Sequence, residues 1–220
     1  MKWMNKLERK YGRYALNNLI FYVIALNATV FILSYLSPQL EELLILYPQR
    51  VLQGELWRLL TYIFIPPTYS PLWIIFVLYF YYLVGSGLEQ AWGAFRLNLY
   101  YLLGMIGTTL AAFITGAGYT GAYINQSLFF AFAHLYPDFE VLIFFILPVK
   151  VKYLAWLNWA ILGFTAIFLP LPYKLAAVAA VANYFIFFGP DIYRRIKLRR
   201  QVQANRRRFF SEVRKAQKKR

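Results

Sequence analysis

The chain of 220 residues has no cysteine and a single histidine, His134. The first absence excludes disulfides, thiolate nucleophiles and cysteine metal sites. The second leaves one imidazole for acid–base chemistry. No metal and no cofactor is expected. Charge is also scarce. Only 15% of residues are charged, and 24 Lys plus Arg stand against 9 Asp plus Glu. Most of the basic excess sits at the two ends, and the middle is nearly uncharged. A nucleic-acid binder more often spreads its basic residues over a folded surface, so no nucleic-acid partner is expected. What is present in quantity is apolar: 60% of residues are hydrophobic and 20% aromatic. A soluble domain of this size cannot cover so much apolar surface. The pattern is that of a polytopic membrane protein with basic flanks. Residues 1–18 are too polar and too long for the charged region of a cleavable signal, so the first apolar stretch is expected to be retained as a span.

A span needs about 20 mostly apolar residues. Six candidates stand at roughly 19–36, 71–89, 97–115, 122–136, 153–169 and 173–189. The fourth is short, which suits a helix buried among longer ones. Proline and glycine punctuate the breaks, as at Pro66 and Pro67, Gly116 and Gly118, and Pro170 and Pro172. The expected fold is therefore an all-α integral membrane bundle of six transmembrane helices. Its domain plan is a basic cytoplasmic segment at 1–18, a membrane domain at 19–189 and a basic cytoplasmic tail at 190–220. The first connection, 37–57, mixes Glu41, Glu42, Arg50 and Glu55 with an apolar run, and reads as an amphipathic loop in the interface. Residues 138–153 are apolar, β-branched and aromatic, broken by Pro148. An interfacial hairpin or a bent helix extension fits them equally. An even number of spans and basic residues at both ends place both termini in the cytoplasm. The tail reads either as a solvated helix that fixes topology and touches anionic headgroups, or as a docking site for a ribosome, RNA or a cytosolic partner. The spacing of Ile192, Ile196 and Arg199 predicts a helix continuing out of the membrane.

Three local patterns resemble the rhomboid superfamily. Gly54, Trp57, Arg58 and Thr61 look like its approach to the second helix, with the paired Trp and Arg. Gly85, Leu88, Glu89, Trp92 and Gly93 look like its exit from that helix. Gly104, Met105 and Gly107 sit in a third helix of small-residue type. The resemblance implies a rhomboid-like six-helix bundle with an interfacial first loop. Active members use a serine at the start of the fourth helix and a histidine in the sixth, with a second-helix His and Asn at the oxyanion hole. At the matching positions this chain has Ser127, Asn183, Trp73 and Val77. Asparagine has no basic nitrogen at neutral pH and takes no proton from serine. Nor does a direct Ser127–His134 dyad fit one straight helix, because seven residues separate them by about 10 Å. No catalytic residue is therefore assigned, and the chain is expected to be a pseudoprotease.

Resemblance to the derlins, in the inactive branch, is closer. Leu56, Trp57 and Arg58 before Phe64 and Pro66, then 79–82 and Leu88 with Glu89, are similar to their second-helix region. Residues 127–138, followed by Lys150, Lys152 and Trp156, are similar to their fourth helix and the basic segment before the fifth. This implies binding of transmembrane or misfolded client proteins for extraction, quality control or degradation, with a cytosolic protease or unfoldase as partner. The derlin tail motif for the unfoldase is not visible, and the tail ends in Lys218, Lys219 and Arg220. Asn125, Gln126, Ser127 and Asn183 form the expected polar notch for a client, since polar groups inside spans mark functional sites by default. The competing role for Ser127 and Asn183 is hydrogen bonding between helices. His134 reads as an interfacial anchor. Ala176, Ala179, Ala180 and Asn183 share one face, expected to pack on the fourth helix near Ala131. Trp57, Arg58, Leu88, Glu89 and Gly93 are the structural motif. Arg58 is expected to snorkel and anchor the first loop, and Trp57, Trp92, Trp156 and Trp159 to form aromatic belts. The other function classes are an active rhomboid-type serine protease with displaced groups, and a small scaffold or transporter. The compact chain and basic tail favour a bacterial or archaeal cell membrane, with the endoplasmic reticulum membrane as the eukaryotic alternative.

Overall fold

The computed structural model describes residues 2–143 and 147–217. The middle of the 138–153 segment, at 144–146, and the three basic residues 218–220 of the tail lie outside the described residues. The chain divides into two compact units, Met1–Tyr184 and Phe185–Arg220.

The first unit opens with α1 (Lys2–Tyr11), a short 3-10 turn and α2 (Leu19–Leu36). The connection that follows holds α3 (Leu40–Leu44), α4 (Pro48–Leu52), α5 (Arg58–Thr61) and a second 3-10 turn, Tyr62–Phe64. Then come α6 (Pro71–Trp92), α7 (Ala94–Thr115) and α8 (Ala122–Leu135). A hairpin of β1 (Glu140–Ile143) and β2 (Leu147–Lys150) precedes α9 (Val151–Phe168) and α10 (Leu171–Gln217). The first unit includes α10 as far as Tyr184.

Local chemistry sets these boundaries. Pro71 occupies the first turn of α6, where a missing N–H costs nothing. Gly93, at φ +81°, makes the break between α6 and α7 that a side chain would strain. Asn18 is left-handed at φ 56° just before α2, and its N–H donates to Glu89 Oε1 at 2.9 Å. Glu89 therefore ties the start of α2 to the end of α6.

Among the described residues, five helical segments are long and apolar enough to cross a membrane: α2, α6, α7, α9 and Leu171–Pro190 of α10. The expected fourth span, α8, differs from them. Its 14 residues extend about 21 Å, short of a hydrocarbon core of about 30 Å. Every residue from Ser127 to Ala133 is buried, and α6, α7 and α9 all pack against it. A helix buried among its neighbours over this stretch has less need to match the bilayer.

Small residues let the helices approach. A Cβ on Gly85 of α6 would lie 2.5 Å from Ile20 Cβ of α2. The alanine face of α10 is expected against the fourth helix, and the structure places it against α7 as well. Ala179 lies against Gly107 of α7, whose absent Cβ would be 3.5 Å from the Ala179 Cβ, while Ser127 of α8 donates to Ala180 O at 3.0 Å. Glycines on α7 admit α10 from the other side, so both helices share that face.

The all-α expectation also gains a small sheet. Glu140 pairs with Lys150 and Ile143 with Leu147 in an antiparallel register. Pro148 and the β-branched run disfavour a helical extension, so the strand alternative holds here. Asp138 braces the base of the hairpin, 2.7 Å from Lys152 Nζ and 3.5 Å from Lys150 Nζ.

Taken alone, the second unit is helical from 185 to 217, with Pro190 inside the helix. The helix predicted from 192, 196 and 199 is thus present. Its exposed side chains include Leu198 and Val202 as well as basic residues such as Lys197, Arg199 and Arg200.

Candidate functional site

Two of the four expected notch residues open onto a groove and two are buried in a fastening between helices. The groove has a volume of about 410 Å³ and lies between α2, α6, α8 and α9. Its walls are mostly apolar, with Ile24, Phe80, Val84 and Ile161 among them. Asn125 and Gln126 of α8 line it, joined by Asn158 of α9. All three are half-buried. Gln126 Nε2 donates to Asn158 Oδ1 across the groove. That pairing uses one donor and one acceptor of two amides, each of which carries two donors and an acceptor with two lone pairs. Further hydrogen-bonding capacity therefore lines an otherwise apolar recess. Tyr81 adds a hydroxyl beside Asn125.

Ser127 and Asn183 point elsewhere. Ser127 is fully buried and Asn183 is 3% exposed. The Tyr100 hydroxyl lies 2.6 Å from Ser127 Oγ and also donates to Ser127 O at 2.8 Å. Asn183 Nδ2 donates to Tyr100 O at 3.2 Å and to Ser127 Oγ at 3.4 Å. Gly104 makes room for this amide, since a Cβ there would sit 3.2 Å from Nδ2. One knot thus joins α7, α8 and α10. Ser127 of α8 and Asn183 of α10 meet at one junction. Asn183 Oδ1 has no hydrogen-bond partner among the described residues.

His134 lies at the far end of α8, where its Nδ1 is 2.8 Å from the Tyr184 hydroxyl. It links α8 to α10 there, while Ser127 is held by Tyr100, Ala180 and Asn183. Trp73, at the expected oxyanion-hole histidine position, is 45% exposed on α6 and tilts against Phe76. Val77 is half-buried on the same helix.

The structural motif residues separate by role. Arg58 was expected to snorkel; instead it is 3% exposed. Its Nη1 donates to Glu42 O at 2.6 Å and Ile45 O at 2.7 Å, and its Nε to Glu55 Oε2 at 2.5 Å. It still anchors the first loop, but from inside, because the folded loop surrounds it with acceptors. Trp57 Nε1 donates to Leu43 O at 3.3 Å. Leu88 is fully buried, and Gly93 supplies the turn. Of the expected belt residues, Trp156 is 75% exposed, whereas Trp159 stacks on Phe130 at 4.5 Å.

Sequence reasoning missed Asn158, Asn27 and Tyr100. The rule that flagged Asn125 applies equally to Asn158 and Asn27, both lone amides in apolar helices. Asn27 is fully buried and donates to Ile63 O at 3.2 Å, tying α2 to the first loop. Nothing in the sequence marks Tyr100 out from 18 other tyrosines.

The family described as eukaryotic integral membrane protein (DUF1751) matches residues 18–189, and the chain belongs to that family. No curated protein matches it. An integral, multi-pass membrane protein follows directly from this and from the five long apolar helices. The family's eukaryotic description weighs against the bacterial or archaeal membrane that composition favoured. A basic tail and compact chain suit either setting, so composition had no power to separate them.

Proposed function

We propose that this family member is a non-catalytic, rhomboid-like and derlin-like protein that binds transmembrane or misfolded clients for extraction, quality control or degradation. The observation that carries this reading is the groove between α2, α6, α8 and α9, with Asn125, Gln126 and Asn158 on an apolar lining. A client helix bearing a polar residue finds no partner in hydrocarbon, and unmet polar groups there are costly. The amides offer that partner. On this reading α8 is the sixth span, and both termini face the cytoplasm.

The knot supports a non-catalytic assignment. Ser127 Oγ and Asn183 Nδ2, at the positions of the rhomboid serine and histidine, are 3.4 Å apart. An amide takes no proton from the hydroxyl. The basic ends then contact anionic headgroups, and a cytosolic protease or unfoldase completes removal of the client. For a eukaryotic family, the membrane proposed on the derlin-like reading is that of the endoplasmic reticulum.

The test is site-specific photocrosslinking in cells from a photoreactive residue at Asn158, with Ile167 on the same helix as control. Intact membrane proteins should be captured from 158 and not from 167, and Asn125→Leu with Gln126→Leu should reduce capture. Lipid adducts alone at 158 would sink the client reading. Cleaved fragments would favour an active protease.

A further inference from the structure

A second groove, of about 630 Å³, lies between α2, α7 and the first-loop segment α5 with its 3-10 turn. Its chemistry differs from that of the first. Leu26, Leu99, Leu102, Met105 and Phe95 are among its walls. Asn98 also lines it, but that amide is spent on backbone. Its Nδ2 donates to Leu16 O at 2.8 Å and Ala94 O at 2.6 Å, and its Oδ1 accepts from Leu16 N at 3.3 Å. Apart from its tyrosines and Asn98, the lining is mostly large and apolar, with little of the small-residue character on which helix association in membranes relies. Flexible leucines and a methionine suit a flexible chain better than a second helix.

The N-terminal end of the groove is charged. Tyr11 and Tyr14 line it. Lys10 Nζ sits 5.1 Å from the centre of the Tyr11 ring, and Arg13 lies 4.7 Å from that of Tyr14, whose hydroxyl accepts from Arg13 Nη2 at 2.6 Å. Lys10 and Arg13 are exposed. Glu8, the acid on the same helix, is paired with Arg96 at 2.9 Å and does not neutralise them. From Phe95 to Met105 the α7 wall spans ten residue steps, about 15 Å, which is half of a hydrocarbon core of about 30 Å. Leu60 and Phe64 line the other end.

We propose that this groove is a binding site for one anionic phospholipid of the leaflet on the α1 side. An acyl chain lies along Leu99, Leu102 and Met105, and the headgroup phosphate is held by Lys10 and Arg13 between Tyr11 and Tyr14. Tyrosine at headgroup level and cations facing an anionic leaflet are the arrangement such a lipid requires.

Native mass spectrometry of the delipidated full chain, titrated with phosphatidylglycerol or with phosphatidylcholine of the same acyl chains, tests this. The anionic lipid should reach half occupancy at about thirtyfold lower concentration, from two basic residues near the surface. Lys10→Ala with Arg13→Ala should abolish that preference. Leu102→Trp, at an exposed position that leaves folding intact, should weaken retention of both lipids. Leu157→Trp in the other groove should not. Equal retention of the two lipids by the unaltered chain, a preference that survives the double variant, or displacement of the bound lipid by a single-span peptide would overturn the assignment.

Discussion

Replacing Arg58 by alanine should loosen the first loop while leaving the long helices in place. The guanidinium makes three short contacts, to two backbone carbonyls and one carboxylate, and is almost wholly buried. Hydrogen bonds to charged groups contribute about 1.5–3 kcal/mol each, and removing one partner of a buried pair costs about 3–5 kcal/mol. Two features place the expected loss toward the lower end. Glu55 is 22% exposed, so water reaches it, and Arg50 Nη1 already lies 3.6 Å from its other oxygen. The carbonyls of Glu42 and Ile45 have no such replacement. We expect a loss of about 3 kcal/mol, concentrated in α3, α4 and α5. Lysine at 58 keeps the charge but has no planar fork to reach three acceptors, so Arg58→Lys should recover only part. Denaturant titration in mixed micelles gives the total, and amide hydrogen exchange locates it. Residues 40–61 should exchange faster and α7 should be unchanged. A loss below about 1 kcal/mol with unaltered exchange in the loop would refute the argument that these three bonds hold it.

Gly85→Ala should destabilise by about 1–3 kcal/mol, because its Cβ would meet Ile20 Cβ at 2.5 Å and α2 would have to move. Gly163→Ala is the control. Nothing lies within 4 Å of that position, so helix propensity should raise stability by up to about 1 kcal/mol in the same thermal unfolding assay. The Asp138 carboxyl is held below the ordinary aspartate range, first by the hydrogen bond from Lys152 and then by its charge. A depressed pKa stabilises above the unfolded value, near pH 4, and that contribution disappears as pH falls through the folded value. Amide exchange at the base of the hairpin should therefore rise below about pH 4, and Asp138→Asn should remove the pH dependence. Ser127 should resist fluorophosphonate labelling, and Asn183→His should not change this, since the hydroxyl is buried and no oxyanion donors face it from Trp73 or Val77. Labelling that is lost in Ser127→Ala would return the chain to the proteases.

The helices were legible because apolar length, proline and glycine are local signals. Residues 19–36 matched α2 to the residue, and Pro71 began α6 as its fixed backbone angle requires. What the sequence hid was partnership. Arg58 looks like an interfacial cation until the carbonyls of Glu42 and Ile45, 16 and 13 residues away, close around it. Asn125, Gln126 and Ser127 are consecutive, so composition groups them. A helix turns about 100° per residue, and Ser127 consequently faces α7 and α10 while Gln126 faces α9. Tyr100 joins the knot through a contact 27 residues away that no periodicity reports.

The unpartnered oxygen of Asn183 gives the knot its meaning. A buried acceptor without a donor costs about 1–3 kcal/mol, while hydrogen bonds between membrane helices return on average about 0.6 kcal/mol each. Packing alone would therefore do as well with leucine, which has nearly the same shape. On the proposed reading, an asparagine at this point is a remnant of a polar site. It has the small polar head that the Gly104 gap admits and donates to Ser127, but it supplies no base for the hydroxyl. On that reading, this exchange, together with Trp73 and Val77 in place of oxyanion donors, turns the junction of the fourth and sixth helices from a place where a bond is cut into one where helices are fastened. The remaining hydrogen-bonding capacity then lies one residue away, at Gln126, in the groove where a client helix would be received.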